Sequence, residues 1–225
     1  MDFNTSTIGV FKNEIKNRFR SEVLIDNNVE LCYIQSSSRL DNYVNLKNKK
    51  VILKKIDVPN KLKYTVLAKP YFKDYILLVP MMANEIVYNE INRRIFSSFG
   101  YRKDAILEHN VEGYKADIYL PKEDEVIEIK VLISDKKNGN VFPTVYSDRT
   151  IMQLENLKKL LLNGKKCIFI IVSFNPYYKV INILRNTDFY IKLNECLKFG
   201  MKLYSYSVSC INGIHIKKKL IINYL

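Results

Sequence analysis

The chain has 225 residues, 48% of them hydrophobic, with Lys+Arg 36 against Asp+Glu 23 and a formal net charge of +13. That is enough apolar material for one large core or two smaller ones. The cationic excess favours a polyanionic partner through counterion release, while a lysine-rich surface also serves solubility. No segment reaches the roughly 18 apolar residues of a membrane-spanning helix. The N-terminal MDFNTSTIGV lacks the basic-then-apolar plan of a secretory signal. The expectation is a cytoplasmic protein with no membrane partner, although an anionic membrane surface would attract the same charge.

Residues 8–80 read as all-β. RFRSEVLI, VELCYI, KKVILKKI, KYTVLA and DYILLVP are short alternating or β-branched runs. DNN, QSSSRLDN, DVPNKL and KPYFK separate them as turn material. Five short strands in so small a segment suit a barrel, and the OB-fold is the commonest five-stranded solution.

The period changes near residue 81. ANEIVYNEINRRIFSSFG carries Ile86, Ile91 and Ile95 near helical spacing and predicts a helix ending at Gly100. Strand-like DAILEH, YKADIYL and EVIEIKVLI follow, then a polar loop with DKKNGN. SDRTIMQLENLKKLLLNG predicts a helix capped by Ser147 or Asp148, with Lys158 and Lys159 suiting its C-terminal half. CIFIIVSF reads as a buried strand. A helix around TDFYIKLNECLKFG and closing strands KLYSYSVSC and GIHIKKKLII complete the chain. The expected division is residues 1–80 and 81–225, with no repeat and no low-complexity linker. The lysines of IKKKL at 216–220 read as a solvated edge that discourages strand-to-strand aggregation.

Several chemistries lack support. The four cysteines form no CxxC pair, which argues against a zinc ribbon, and a disulfide framework is not expected in a chain of this size without a signal. His109 and His215 are too few and too far apart for a histidine metal cluster, and no motif supports a Ser-His-Asp triad. There is no Walker A loop and no GxGxxG.

The informative stretch is ADIYLPKEDEVIEIKVLI, from Ala116 to Ile133. Strand side chains alternate faces, so Glu128 and Lys130 share one face, and Ile127, Ile129 and Val131 take the other, the expected core face. A turn over Pro121–Asp124 sets Leu120 against Glu125 and therefore Asp117 against Glu128. Opposed carboxylates repel, and a divalent cation between them reverses the sign. Magnesium or manganese suits such a pair. A lysine two residues beyond the second acid can orient water or neutralise charge on a scissile phosphate. Glu108, on the preceding strand, can join the acids, and Gln153, on the following helix, can add a hydrogen bond. The alternative is a solvated hairpin with an incidental ion pair, and a one-residue slip would remove the constellation.

The chain resembles the sugar fermentation stimulation protein A family along most of its length. The carriers are NRFRSEVLID at 17–26, SSSRL at 36–40, KYTVLA, ANEIV, the hairpin with Asp117, Glu128 and Lys130, and FPTVYSDRTIMQLENL, in order and spacing. The resemblance implies a two-domain α+β and α/β architecture: an N-terminal OB-like domain, then a PD-(D/E)xK nuclease-like mixed sheet flanked by helices. It also implies nucleic-acid binding and a proposed regulatory role in sugar metabolism. Glu108, Asp117, Glu128 and Lys130 carry over as the metal and catalytic cluster, and Arg18 and Arg39 as basic barrel positions. Ser36–Ser38 replace the family's Asn-Thr-Gly. Thr144, Gln153 and Val131 stand where it has an acid, a histidine and a serine.

On an OB barrel, basic groups and stacking aromatics bind single strands. The candidates are Arg18, Arg20, Arg39, Lys54, Tyr33 and Tyr64, with packing the competing role for the tyrosines. Nothing reads bases, so weak sequence preference and strong salt dependence are expected. Three functions compete. The first is a nucleic-acid-binding phosphodiesterase with metal on Glu108, Asp117 and Glu128, and with Lys130 and Gln153 assisting. The second is a non-catalytic DNA-binding regulator on an inactive nuclease scaffold. The third is an RNA-binding or RNA-processing module. The oligomeric state stays open, with a homodimer among the options.

Overall fold

A computed structural model describes residues 6–15, 19–35, 39–56 and 62–225. Its first strands are β1 (Thr7–Glu14), β2 (Arg20–Ile25), β3 (Asn28–Tyr33), β4 (Lys50–Lys55), β5 (Tyr64–Tyr71) and β6 (Asp74–Leu77). β1 pairs antiparallel with β2 and β4, β2 with β3, and β4 with β5. A parallel contact of β3 with β5 closes the ring β1-β2-β3-β5-β4. This is the OB arrangement, and closure removes most of the free edge that short strands would expose. Phe11, Val23, Cys32, Val51, Leu53 and Val66 fill the interior. At Gly9 any Cβ would strike the Val23 side chain, so the ring closes tightly only with glycine there.

The expected number of barrel strands is right, but their membership differs. TIGVFKNE is the first barrel strand, and its glycine and polar residues hide the alternation. DYILLVP lies outside the ring: β6 pairs with β5 alone and leads the chain away.

The remaining elements are α1 (Met82–Glu90), β7 (Ile106–Val111), β8 (Tyr114–Leu120), β9 (Glu125–Leu132), β10 (Val141–Phe142), α2 (Asp148–Leu162), β11 (Lys166–Ser173), β12 (Val180–Ile183), α3 (Asp188–Lys198), β13 (Lys202–Ser209), β14 (His215–Lys219) and β15 (Ile221–Tyr224). The main sheet runs β14-β13-β11-β9-β8-β7. Its centre, β9-β11-β13, is parallel, and antiparallel hairpins flank it. The parallel centre is covered on both faces, as such sheets require. Ile118, Ile127, Ile129, Ile168 and Ile170 join the barrel interior and the Ile86 and Val87 side of α1 in one continuous core. On the other face Val126, Leu132, Phe169 and Ile171 meet Leu154, Leu157 and Leu160 of α2 and Phe189 and Leu193 of α3. The face carrying Glu128 is therefore as buried as the isoleucine face.

Two local expectations are corrected. The helix expected to run to Gly100 ends at Glu90. Arg93 is extended, and a 3-10 turn at Arg94–Phe99 buries Phe96 and Phe99 at its three-residue spacing. GIHIKKKLII divides between β14 of the main sheet and β15 of a small parallel sheet, β10-β12-β15. β10 and β12 themselves are too short to announce a period. Among the described residues no helix is long and apolar enough to cross a membrane.

One segment ties the barrel to the β8–β9 hairpin. Just beyond β9, Ser134 Oγ donates to Tyr43 O (2.9 Å), and Asp135 accepts from Asn45 N (2.8 Å) and is ion-paired with Lys69 of β5. Lys136 Nζ donates to Asp41 O (3.1 Å). The barrel thereby fixes the strand that carries Glu128 and Lys130.

Candidate active site

The β8–β9 register is the expected one: Leu120 pairs with Glu125, Tyr119 with Val126 and Ile118 with Ile127. The turn is a 3-10 turn at Pro121–Glu123 followed by Asp124 in the left-handed region, φ +48°. Regular pairing stops at Ile118, one step before Asp117 would meet Glu128. The other side of β8 is interrupted too. Leu107 pairs with Ile118 and His109 with Ala116, while Glu108 between them takes φ +52°. Asp117 thus sits in a notch where both ladders open.

The backbone and α1 hold Asp117 there. Its Oδ2 accepts from Ile129 N (2.7 Å) and its Oδ1 from Asn84 Nδ2 (2.7 Å). Glu128 is only 1% exposed. It accepts from Tyr114 Oη and from Gln153 Nε2 (2.6 Å), and Lys130 Nζ is ion-paired with it. Burial pushes the Glu128 carboxyl pKa above its ordinary value. Lys130 and the hydrogen bonds work against that rise, and Asp117 adds to it.

These groups open onto a cleft of about 390 Å³. Asp117, Glu128, Lys130 and Gln153 line it together with Thr144 from the loop after β10, with Arg149 and Thr150 from the start of α2, and with Leu40 and Tyr43 from the barrel. Ser147 caps α2 by accepting from Thr150 N, which places Arg149 and Gln153 on the cleft side. Asn84, Tyr114 and Arg149 carry no sequence signal as site residues. Only the fold brings them to the hairpin.

Glu108 stands apart. It lines an adjoining pocket with Asp117, Arg149 and Gln153, but its carboxylate accepts from Lys115 Nζ (2.6 Å). Among the described residues no three His, Cys, Asp or Glu side chains cluster closely enough to hold a metal. The donor set nevertheless fits a small hard cation. Asp117 and Glu128 supply carboxylate oxygens from adjacent strands. Among the described residues Gln153 Oε1 has no hydrogen-bond partner and is buried, a neutral oxygen beside Glu128. Oxygen-only donors in small number, with room for water and phosphate, suit Mg²⁺ or Mn²⁺.

The barrel candidates separate by register. Arg20 pairs with Tyr33, Tyr33 with Thr65 and Thr65 with Lys54, one transverse row over β2-β3-β5-β4. Paired neighbours project to the same face, so Arg20, Tyr33 and Lys54 form one band. Phe19 packs beside Tyr33, ring centroids 6.1 Å apart. Tyr64 pairs with buried Cys32 and packs against the core instead. Arg39 is exposed next to Leu40 of the cleft. Arg18 lies outside the described residues.

An OB barrel fused to this mixed sheet, with acids and a lysine on its β8–β9 hairpin, defines a protein with a restriction-endonuclease-like domain. Residues 81–212 match the model for the Sugar fermentation stimulation protein RE domain. The chain belongs to the sugar fermentation stimulation protein family. It is 27% identical over 214 residues to a sugar fermentation stimulation protein homolog of Thermosipho melanesiensis, covering 94% of this chain and 91% of that one. Among solved structures it is similar to Pyrococcus furiosus SfsA in complex with Ca²⁺, with a TM-score of 0.78, 17% identity and coverage of 99% and 97% of the two chains.

Proposed function

We propose that the protein is a divalent-metal-dependent phosphodiesterase acting on nucleic acid, DNA first, gripped by the basic row of its barrel. One observation carries this reading. Asp117 and Glu128 stand side by side where both ladders open, with Lys130 beside them on the same cleft. Asp117, Glu128 and Gln153 Oε1 would hold Mg²⁺ or Mn²⁺. The bound ion would supply Lewis-acid polarisation of the phosphate and a more acidic water. The Ca²⁺ complex of the Pyrococcus relative supports a divalent ion.

The chain's own groups do the rest. Lys130 Nζ neutralises charge as the water oxygen bonds to phosphorus, losing a proton to solvent, and the ester oxygen leaves with the bond pair and takes a proton from solvent. Arg149 presents a second cation from the helix start. Asn84 and Ile129 N–H orient the Asp117 carboxylate. The barrel row is unspecific in character, since Arg20 and Lys54 meet phosphates and Tyr33 stacks. A regulatory role in sugar metabolism rests on family membership alone.

A second reading, a non-catalytic DNA-binding regulator, is favoured by the Lys115–Glu108 pair, which keeps the third acid out of the cluster. One experiment separates the two. Labelled single- and double-stranded DNA and RNA are incubated with wild type and with Lys130→Ala, in Mg²⁺, Mn²⁺ or EDTA. Metal-dependent cleavage lost in the variant supports the enzyme. Binding without cleavage in any metal assigns the regulator. Cleavage confined to RNA moves the substrate class.

A further inference from the structure

The lysines of β14 and an aromatic cluster beside them lie outside the cleft. The β5–β6 hairpin turns through Phe72 and Lys73, with Tyr71 paired to Asp74. Two-residue hairpin turns favour glycine or asparagine where φ is positive, yet Phe72 takes φ +52°. The residue is also 81% exposed. A bulky residue in a strained conformation keeps most of its apolar surface in water here, a cost that its ring contacts offset only in part.

The surroundings have a consistent chemistry. Phe72 packs edge-on against Tyr71 (4.7 Å) and against Tyr177 (5.2 Å), which follows β11. Lys73 N donates to Tyr177 Oη (3.1 Å). Lys217 Nζ lies 4.8 Å from the centre of the Tyr177 ring and 3.8 Å from buried Asp74. Lys218 and Lys179 add charge next to Lys217 on this side of β14. Burial, then Lys217 and Lys179, lower the Lys218 ammonium pKa. Lys217 beside Tyr177, next to the exposed Phe72 ring at the hairpin tip, sets a cation beside a free stacking face, which suits an anionic, planar ligand. Tyr177 is also joined to the catalytic strand. Its N–H donates to Asn175 Oδ1, and Asn175 Nδ2 donates to Ser134 O. Ser134 is four residues, about 13 Å of extended chain, beyond Lys130.

We propose that this cluster is a second nucleic-acid contact, where an unpaired base stacks on Phe72 while Lys73 and Lys217 meet the flanking phosphates. The inference rests on the reading that the chain binds nucleic acid, but not on its cutting any. The ligand is a single strand, because a base must leave its stack to reach the ring. The site would hold a strand running past the catalytic hairpin.

The chain contains no tryptophan, so Phe72→Trp introduces a single local fluorophore. An oligothymidylate and a blunt duplex of equal length are titrated in EDTA, which prevents cleavage. Saturable quenching by the single strand is expected. Phe72→Ala should weaken single-strand binding about tenfold at unchanged melting temperature, with little effect on the duplex. Lys73→Gln should lower the salt slope by about one. Single-strand binding without quenching, or with wild-type affinity in Phe72→Ala, overturns the site and leaves the proposed function standing. A changed oligomeric state in Phe72→Ala with unchanged binding overturns it in favour of a self-association surface. Quenching without cleavage in any metal supports this site and removes only the enzyme reading.

Discussion

Asp117 Oδ2 accepts a hydrogen bond from Ile129 N at 2.7 Å, so a side chain takes the place of the backbone partner that an unbroken hairpin would supply. The exchange holds the strands apart at the point where two carboxylates would otherwise oppose each other, and it aims the Asp117 carboxylate into the cleft. Asp117→Asn keeps an acceptor for Ile129 N and should melt like wild type, yet lose cleavage by about 100-fold or more. Asp117→Ala orphans a buried N–H and should also cost about 1–3 kcal/mol. Paired melting curves and cleavage rates check both. Equal stability of the two variants would falsify the structural half of the role.

Glu128 gives a pH-dependent signature. Burial raises its carboxyl pKa above 4.5, so the native state binds a proton more readily than the unfolded chain. Its contribution therefore opposes folding once pH rises through the ordinary value, and the penalty is complete above the raised native value. Relative to wild type, Glu128→Gln should gain in melting temperature as pH rises from 4 to 8, by about 2–4 °C per kcal/mol, on top of a pH-independent loss from the Lys130 partner it removes. The same variant should abolish any rise in melting temperature that Mn²⁺ gives the wild type. A variant less stable at pH 8 than at pH 4, relative to wild type, would contradict the sign.

Lys69 and Asp135 are a nearly dry ion pair between β5 and the segment just beyond β9, with side chains 8% and 2% exposed. Removing one member of such a pair leaves an uncompensated charge and typically costs about 3–5 kcal/mol. Lys69→Met should fall in that range. Lys69→Met with Asp135→Asn should recover part of the loss, since the new amide oxygen would still accept from Asn45 N. Because the pair anchors the strand carrying Lys130, the single variant should lose more activity than stability alone explains at a temperature where it is folded. Chemical denaturation and cleavage rates measured side by side test this.

The hairpin was legible because strand period and turn position fix register by simple chemistry, and the structure reproduces that register through Ile118–Ile127. Four of the five barrel strands were legible for the same reason. The first was not, because Gly9 meets a packing demand that only the closed ring creates. The burial of the Glu128 face was equally hidden, since Leu154 and Leu157 of α2 cover it from a distant part of the chain. Asn84 and Tyr114, which hydrogen-bond the two acids, are ordinary residues until tertiary structure places them there. Of the barrel candidates, Arg20, Tyr33 and Lys54 fall in one row. Tyr64 is a residue out of phase and turns inward, a distinction that pairing reveals and composition does not.

Glu108 decides whether the cluster has a third acid. It faces Asp117 across an interrupted ladder, but Lys115 holds it at 2.6 Å, with side chains 68% and 56% exposed. An exposed pair of this kind is worth about 1 kcal/mol at most, so a divalent ion can displace the lysine. Lys115→Ala should tighten Mn²⁺ binding by up to about fivefold, because the acid no longer has to leave a partner. Glu108→Gln should weaken it, since the ion loses a charged oxygen ligand. Calorimetric titration of Mn²⁺ into both variants gives the answer directly. Unchanged affinity in both would confine the metal to Asp117, Glu128 and Gln153 and leave Glu108 as surface charge.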